Sequence, residues 1–307
     1  MGVHMNRKDL LGLKDLTATE ILEILDAAVE MKKILMQGVK KTPHLQGKSV
    51  VTLFYENSTR TRVSFENAAK FMSANCSNIS AATSSVQKGE TLVDTGQNLD
   101  ALLTDVIVIR HPSSGAPHLL AKNVKASVIN GGDGTNEHPT QALLDMFTMR
   151  ERFGKLNGIK VAICGDIKFS RVARSNIWGL TKLGAKVTVC APRTLLPYGI
   201  EDMGCRVEAH PLTAAKNADV IMGLRIQTER QKGGMFPSVA EYAASFGIGE
   251  KTLTAASKNA LIMHPGPVNR GVEMTSGVID SPNSVILEQV TNGVAVRMAV
   301  LFLLTRK

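Results

Sequence analysis

The residues with the clearest chemical potential form the run Ser58-Thr59-Arg60-Thr61-Arg62, between an apolar, β-branched stretch at 49–55 and a helical pattern of Val63, Phe65, Ala68, Ala69 and Met72. Hydroxyls and guanidinium groups at a helix N-terminus suit an anion such as phosphate. First-turn backbone N–H groups lack intrahelical partners, the helix dipole is positive there, and arginine adds charge-assisted hydrogen bonds. An ordinary N-cap flanked by two solvated arginines fits the same spacing.

Other polar groups recur directly after strand-like runs. Arg110 with His111 and Pro112 follows one; Gly131-Gly132-Asp133-Gly134 and then His138-Pro139-Thr140-Gln141 follow another. Further on, Asp166 and Arg171, then Arg225 and Gln227, then His264-Pro265-Gly266-Pro267 occupy equivalent places. Open parallel sheets bind ligands beyond the carboxyl ends of their strands, so these residues are candidates as a set. Singly, each is an ordinary loop residue or a satisfied structural histidine. The stretch 84–91, with Gly89 as a hinge, reads as a hydrophilic surface loop. The sequence has no GxxxxGK[ST] phosphate loop, which removes the P-loop reading, no GxSxG motif, and no GxGxxG after its first strand, so NAD binding is weakly supported. Its carboxylates show no metal-type spacing.

The elements that must position these groups follow from periodicity. A capping box of Thr17 and Glu20 opens a helix over 17–35. Strands at 49–55, 106–110 and 127–130 then alternate with helices at 61–72, 91–103, 118–123 and 140–153. After Gly154 the alternation restarts, with strands at 160–164, 186–190, 219–224 and 260–264, helices at 172–183 and 238–246, and a last helix over 293–304. Short runs that are apolar throughout, separated by helices, indicate an α/β chain of two doubly wound domains, each with a central parallel sheet flanked by helices. The expected domains are 1–153 and 154–290, with the final helix, about 291–307, packing back onto the first.

Composition narrows the function classes. The 307 residues suffice for two cores, and the net charge of +9 is dispersed: no Lys/Arg run exceeds two residues, and aromatics are 4% of the chain. Such an excess favours small anions over nucleic acid. Without an uninterrupted apolar stretch of 18 residues or an N-terminal hydrophobic leader segment, neither a membrane span nor secretion is expected, and a cytoplasmic location is. Cys76, Cys164, Cys190 and Cys205 form no CxxC pair and read as buried thiols.

In order, Ser58-Thr59-Arg60-Thr61-Arg62, Lys88-Gly89-Glu90-Thr91, Arg110-His111-Pro112, His138-Pro139-Thr140-Gln141, the Arg225 to Arg230 stretch and His264-Pro265-Gly266-Pro267 resemble the aspartate/ornithine carbamoyltransferase family over nearly the whole chain. The ornithine branch typically has His-Cys-Leu-Pro at the last motif and a Ser-Met-Gly loop in place of Arg225 and Gln227, so the resemblance is to the aspartate branch. A cation at Arg225 suits a second substrate carboxylate and would repel an ornithine side chain. Gly266 stands where the family has leucine, and its expected contribution is a backbone carbonyl.

The resemblance implies transfer of the carbamoyl group of carbamoyl phosphate to the α-amino group of L-aspartate, an early step of pyrimidine biosynthesis, with no metal or organic cofactor. It implies that Ser58, Thr59, Arg60, Thr61 and Arg110 bind the phosphate, and that His138 and Thr61 hold the carbonyl oxygen. Gln141 and the Pro265 and Gly266 carbonyls would hold the carbamoyl nitrogen, with Pro267 fixing the turn, while Arg171, Arg225 and Gln227 would take the aspartate carboxylates. Ser84 and Lys88 would come from a neighbouring subunit of a homotrimer, Lys88 acting in both aspartate binding and catalysis. The resemblance leaves open whether regulatory chains or a dihydroorotase join that trimer. Another carbamoyltransferase, or a non-catalytic phosphometabolite-binding protein on the same fold, is the alternative reading.

Overall fold

The computed structural model describes residues 6–80, 89–227, 230 and 234–306. It comprises two compact units, Met1–Leu144 with Thr291–Lys307, and Asp145–Val290. Each holds a parallel sheet flanked by helices, the expected fold class.

In the first unit α1 (Ala18–Leu35) begins at the expected capping box: Thr17 Oγ1 accepts the Glu20 N–H, and the Glu20 carboxylate accepts the Thr17 N–H. Its stripe of Ile21, Ile24, Leu25, Ala28 and Leu35 is buried. The chain continues as β1 (Ser49–Phe54), α2 (Thr59–Phe71), β2 (Asn75–Ser80), α3 (Leu92–Ala101), β3 (Val106–His111), α4 (Ala116–Asn123), β4 (Ser127–Asp133) and the start of α5 (Pro139–Phe153), which belongs to the second unit from Asp145 on. The sheet order is β2-β1-β3-β4. Val51, Leu53, Ile107, Ile109, Leu120 and Val128 pack as a core beneath α3 and α4.

Two features of this sheet differ from the sequence-based expectation. The strand β2 was not expected, because Asn75-Cys76-Ser77-Asn78-Ile79-Ser80 has no apolar run. It is an edge strand with mostly polar side chains, tied to β1 where Thr52 Oγ1 donates to Asn78 Oδ1 at 2.9 Å. The strand β4 runs three residues beyond Asn130, to Asp133, because its pairing with β3 shifts register between Ile109 and His111. Gly131 permits that close passage, since a Cβ there would stand 3.2 Å from the Ile109 carbonyl oxygen.

The second unit runs β5 (Lys160–Cys164), α6 (Arg171–Lys182), β6 (Lys186–Cys190), β7 (Arg206–Glu208), α7 (Pro211–Ala214), β8 (Val220–Gly223), α8 (Val239–Phe246), α9 (Glu250–Ala255), β9 (Leu261–Met263), α10 (Ser276–Ile279) and the start of α11 (Ile286–Thr305). Its order is β7-β6-β5-β8-β9, all parallel. The three-residue edge strand β7 is too short and polar to have been read from periodicity. Of the four thiols, Cys164, Cys190 and Cys205 are buried and Cys76 is half-buried; burial pushes the Cys205 thiol up to about 11.

The last helix starts at Ile286 instead of Gly293. Gly293 is interior to α11, where a Cβ would stand 2.6 Å from Arg297 Nη1 and 3.1 Å from Leu144, so the glycine makes room for the Arg297 side chain. Arg297 Nη1 donates to Ser64 Oγ at 2.8 Å and the guanidinium lies over the Phe65 ring. Among the described residues α11 is the one helix long and apolar enough by composition to cross a membrane. Ala295, Val296, Met298, Ala299, Val300 and Leu301 are instead buried in the protein.

Gly165, after β5, has φ +137°, and a Cβ there would meet the Leu224 carbonyl oxygen at 2.3 Å. Gly165→Ala is therefore expected to lower unfolding free energy by about 1–3 kcal/mol in urea denaturation. A change within about 0.5 kcal/mol, as at an ordinary surface site, would contradict this steric account.

Candidate active site

The α2 N-terminus differs from the other Ser/Thr-capped helices. Thr17, Thr91, Ser170, Ser238 and Thr275 each accept a first-turn N–H on the side-chain oxygen, whereas Ser58, the N-cap of α2, makes no such bond. Ser58 thus occupies the N-cap position without a side-chain cap bond. Its first-turn N–H groups are therefore not taken up by a Ser58 side-chain cap, which suits an anion at this end. Thr59 and Arg60 are exposed there, while Thr61 is buried beneath them.

Sheet pairing brings the next candidate to this end. Arg110 lies on β3 opposite Phe54 of β1, and its carbonyl accepts the Tyr55 N–H at 2.8 Å. The guanidinium is 12% exposed; Nη2 donates to Glu56 Oε1 at 2.8 Å and Nη1 to the Gly131 carbonyl at 3.3 Å. A charge-assisted bond on one side and a β4 carbonyl on the other fix the guanidinium plane before any ligand arrives. His138 and Gln141 stand at the start of α5, both buried, with the Gln141 N–H donating to the His138 carbonyl at 3.1 Å.

One carboxylate, wholly buried, gathers these loops. Asp133 Oδ2 accepts the Gly115 N–H at 2.7 Å, at the start of α4, and the Asn136 side-chain amide at 3.1 Å. Its Oδ1 accepts Asn130 Nδ2 at 2.7 Å and the Glu137 N–H at 3.1 Å. The loop after β3, which follows Arg110, and the loop after β4, which ends at His138, are thus locked to one group. Glu137 extends the lock, accepting the Leu13 and Lys14 N–H groups at 2.7 and 3.1 Å.

The second unit repeats the device. Asp166, also fully buried, accepts the Phe169 N–H at 2.9 Å and the Gln227 N–H at 3.1 Å, joining the loops after β5 and β8. Arg171 opens α6 and is 3% exposed. Arg225 Nη2 donates to Gln227 Oε1 at 3.1 Å, and Arg230 Nη1 donates to the Phe169 carbonyl at 3.1 Å. After β9, His264 Nδ1 accepts the Gly266 N–H at 2.9 Å, so the ring proton resides on Nε2, which faces Glu273 Oε1 at 3.4 Å. The Gly266–Pro267 bond is cis, and Gly266 has φ +70°, a conformation glycine adopts without steric cost.

Ser58, Thr59, Arg60, Thr61, Arg110, His138 and Gln141 therefore belong to the carboxyl ends of adjacent strands in one sheet. Arg171, Arg225, Gln227, Pro265, Gly266 and Pro267 do so in the other. Ser84 and Lys88 lie outside the described residues. Asp133 is placed in a loop by the sequence pattern, and Glu137, directly ahead of His138, is the one of the two carboxylates that the motif's neighbourhood could have flagged.

Residues 8–151 match the aspartate/ornithine carbamoyltransferase carbamoyl-P binding domain, and residues 157–304 match the Asp/Orn binding domain of the same family. The chain is 66% identical over 303 residues to the aspartate carbamoyltransferase catalytic subunit of Acetivibrio thermocellus, covering 99% of this chain and 97% of that one. It is 60% identical to the corresponding subunit of Caldanaerobacter subterraneus, covering 99% of each. Among solved structures, ornithine carbamoyltransferase from Pyrococcus furiosus superimposes with a TM-score of 0.85 at 34% identity, over 95% of both chains. Aspartate transcarbamoylase from Trypanosoma cruzi in complex with carbamoyl phosphate and aspartate gives 0.86 at 29% identity, over 96% of this chain and 95% of that one.

His111, next to Arg110, reports on this site. Its ring packs against Tyr55 with centroids 4.7 Å apart, Nδ1 accepts the Ser113 N–H, and burial pulls its pKa below the ordinary 6.5. A lowered folded pKa gives stability that is complete above the unfolded value and lost as pH falls through the folded one. The His111 ring resonances in an NMR titration should show a midpoint below 6.5. A midpoint at or above that value would contradict the packing described.

Proposed function

Because this chain belongs to the aspartate/ornithine carbamoyltransferase family, we propose that the two sets of strand-end residues divide the work of carbamoyl transfer between them. The enzyme transfers the carbamoyl group of carbamoyl phosphate to the α-amino group of L-aspartate, giving N-carbamoyl-L-aspartate and phosphate, an early step of pyrimidine biosynthesis. The observation that carries the assignment of the phosphate end is the α2 N-terminus, whose Ser58 does not cap it, beside an Arg110 held by Glu56 and Gly131.

In this reading Ser58, Thr59, Arg60 and Thr61 bind the phosphate through hydroxyls, backbone amides and guanidinium, and Arg110 adds charge toward the carbonyl side. Thr61 and His138 donate to the carbonyl oxygen, which becomes the oxyanion as the amine attacks. Gln141 and the Pro265 and Gly266 carbonyls hold the carbamoyl nitrogen, and Pro267 fixes the turn. Arg171, Arg225 and Gln227 take the two carboxylates of aspartate; the pairing of Arg225 with Gln227 favours a planar anion at that position. The amine lone pair forms the new C–N bond, the C–O bond to phosphate breaks, and the departing phosphate takes the amine proton. No step calls for a metal or organic cofactor.

Ser84 and Lys88 are assigned to a neighbouring subunit of a cyclic homotrimer in the cytoplasm, with Lys88 serving aspartate binding and catalysis. On this assignment the first domain, 1–153 with the end of α11, serves carbamoyl phosphate, and 154–290 serves aspartate. Binding as a non-catalytic phosphometabolite sensor would leave Arg171 and Arg225 without a purpose, and an ornithine acceptor would set a cation against Arg225.

His138→Ala should lower kcat by about 100- to 1000-fold, the usual cost of removing one oxyanion donor, while phosphate affinity stays within about threefold. If only the carbamoyl phosphate dissociation constant changes, the assigned role is wrong. Arg225→Ala should raise the aspartate KM by about tenfold to a hundredfold, as loss of a charged hydrogen bond does. Ureido product from L-ornithine at a rate matching that from L-aspartate would overturn the acceptor assignment.

A further inference from the structure

The turn His264-Pro265-Gly266-Pro267 is held by a buried polar chain that neither packing nor sheet pairing requires. Residues 283–285 flank β9 on its outer side: the Ile262 N–H donates to the Asn283 carbonyl and the Val285 N–H to the Ile262 carbonyl. That pairing ends before the turn. At His264 the backbone N–H donates instead to a side chain, Gln289 Oε1 on the first turn of α11, at 2.9 Å. A backbone N–H can only donate, so this bond fixes the Gln289 amide with its Nε2 turned away from the turn. Nε2 donates to Asp145 Oδ1 on α5 at 2.8 Å, and Asp145 Oδ2 accepts Asn176 Nδ2 on α6 at 2.8 Å. His264, Gln289, Asp145 and Asn176 are 1%, 2%, 0% and 0% exposed.

Burying a carboxylate and two amides stabilises a fold less than apolar side chains of the same volume would. What such a chain supplies is geometry, because each bond fixes the orientation of the next polar group and the low dielectric sharpens the preference. Asp145 also follows Gln141 by four residues on α5, one helical turn on the same face. We propose that Gln289, oriented by Asp145, is a positioning residue that sets the His264–Pro267 backbone for recognition of the carbamoyl nitrogen. This rests on the assignment of the Pro265 and Gly266 carbonyls to that nitrogen. Gln289 itself touches no substrate.

The role predicts a selective effect. The turn serves the carbamoyl group and not the phosphate, so disturbing Gln289 should weaken carbamoyl phosphate and spare inorganic phosphate. In Gln289→Glu the His264 N–H keeps an acceptor, but two carboxylates then oppose each other. Asp145→Asn turns an amide donor toward either Gln289 Nε2 or Asn176 Nδ2. In the double variant Asp145→Asn/Gln289→Glu the new amide donates to the new carboxylate, and the chain is reconnected with reversed polarity.

Calorimetric titration of the full chain with carbamoyl phosphate and, separately, with inorganic phosphate reads this out. Each single variant should lose about tenfold or more in carbamoyl phosphate affinity with phosphate affinity within about twofold, and the double variant should regain most of the loss. Equal losses for both ligands, no loss for either, or no recovery in the double variant would overturn the proposal. Should Gln289→Glu fail to fold, Gln289→Met, which keeps the shape without the bonds, must show the same selective loss. If the unaltered chain binds carbamoyl phosphate no better than phosphate, the assignment of the turn fails instead; if it discriminates and the variants still do, only the positioning role fails.

Discussion

The geometry of the phosphate end depends on the Asp133 carboxylate. It is completely buried at the end of β4 and accepts from backbone groups at the start of α4 and just ahead of α5, and from Asn130 and Asn136. Removing a carboxylate from water costs several kcal/mol, and only well-placed donors offset it. The donors here belong to the loops that follow β3 and β4, so the carboxylate is satisfied only when those loops take the shape that presents Arg110 and His138. The second unit uses Asp166 in the same way for the loops after β5 and β8, and thereby fixes Arg225 and Gln227.

Concentrating cations at strand ends creates a second constraint. Arg110 would swing freely on its long side chain if left to solvent, and ordering it at binding would cost rotamer entropy. Glu56 and the Gly131 carbonyl hold it beforehand. At α2 the complementary choice is made: the helix lacks a side-chain cap, and its first-turn amides add a fixed partial charge that needs no reorganisation. Such preorganisation suits a reaction whose leaving group is already good and whose chief requirement is to place two anions.

Much of this was legible in the sequence because the sheets are parallel and buried. Apolar runs such as 160–164 and 186–190 mark strands whatever their partners, and the polar residues after them mark the carboxyl ends. The exposed edge strands β2 and β7 bury too little to leave a pattern. Glycine disfavours helix interiors, yet the lack of a Cβ at Gly293 is what admits Arg297 inside α11. Least legible were the carboxylates and amides that shape the loops. The Gln289 and Asp145 partners are 144 residues apart, and nothing local distinguishes Asp133 from any turn aspartate. That Ser58 declines to cap its helix is likewise a property of the fold, not of the Ser-Thr-Arg-Thr-Arg string.

The most direct test of the account is calorimetric titration of inorganic phosphate into Asp133→Asn, a replacement of nearly the same shape that must turn one amide donor toward the donors it now faces. If the buried carboxylate sets the anion site, phosphate should bind about tenfold or more weakly while the far-ultraviolet dichroism remains that of the folded chain. A folded Asp133→Asn protein that binds phosphate within about twofold of the unaltered one would contradict it.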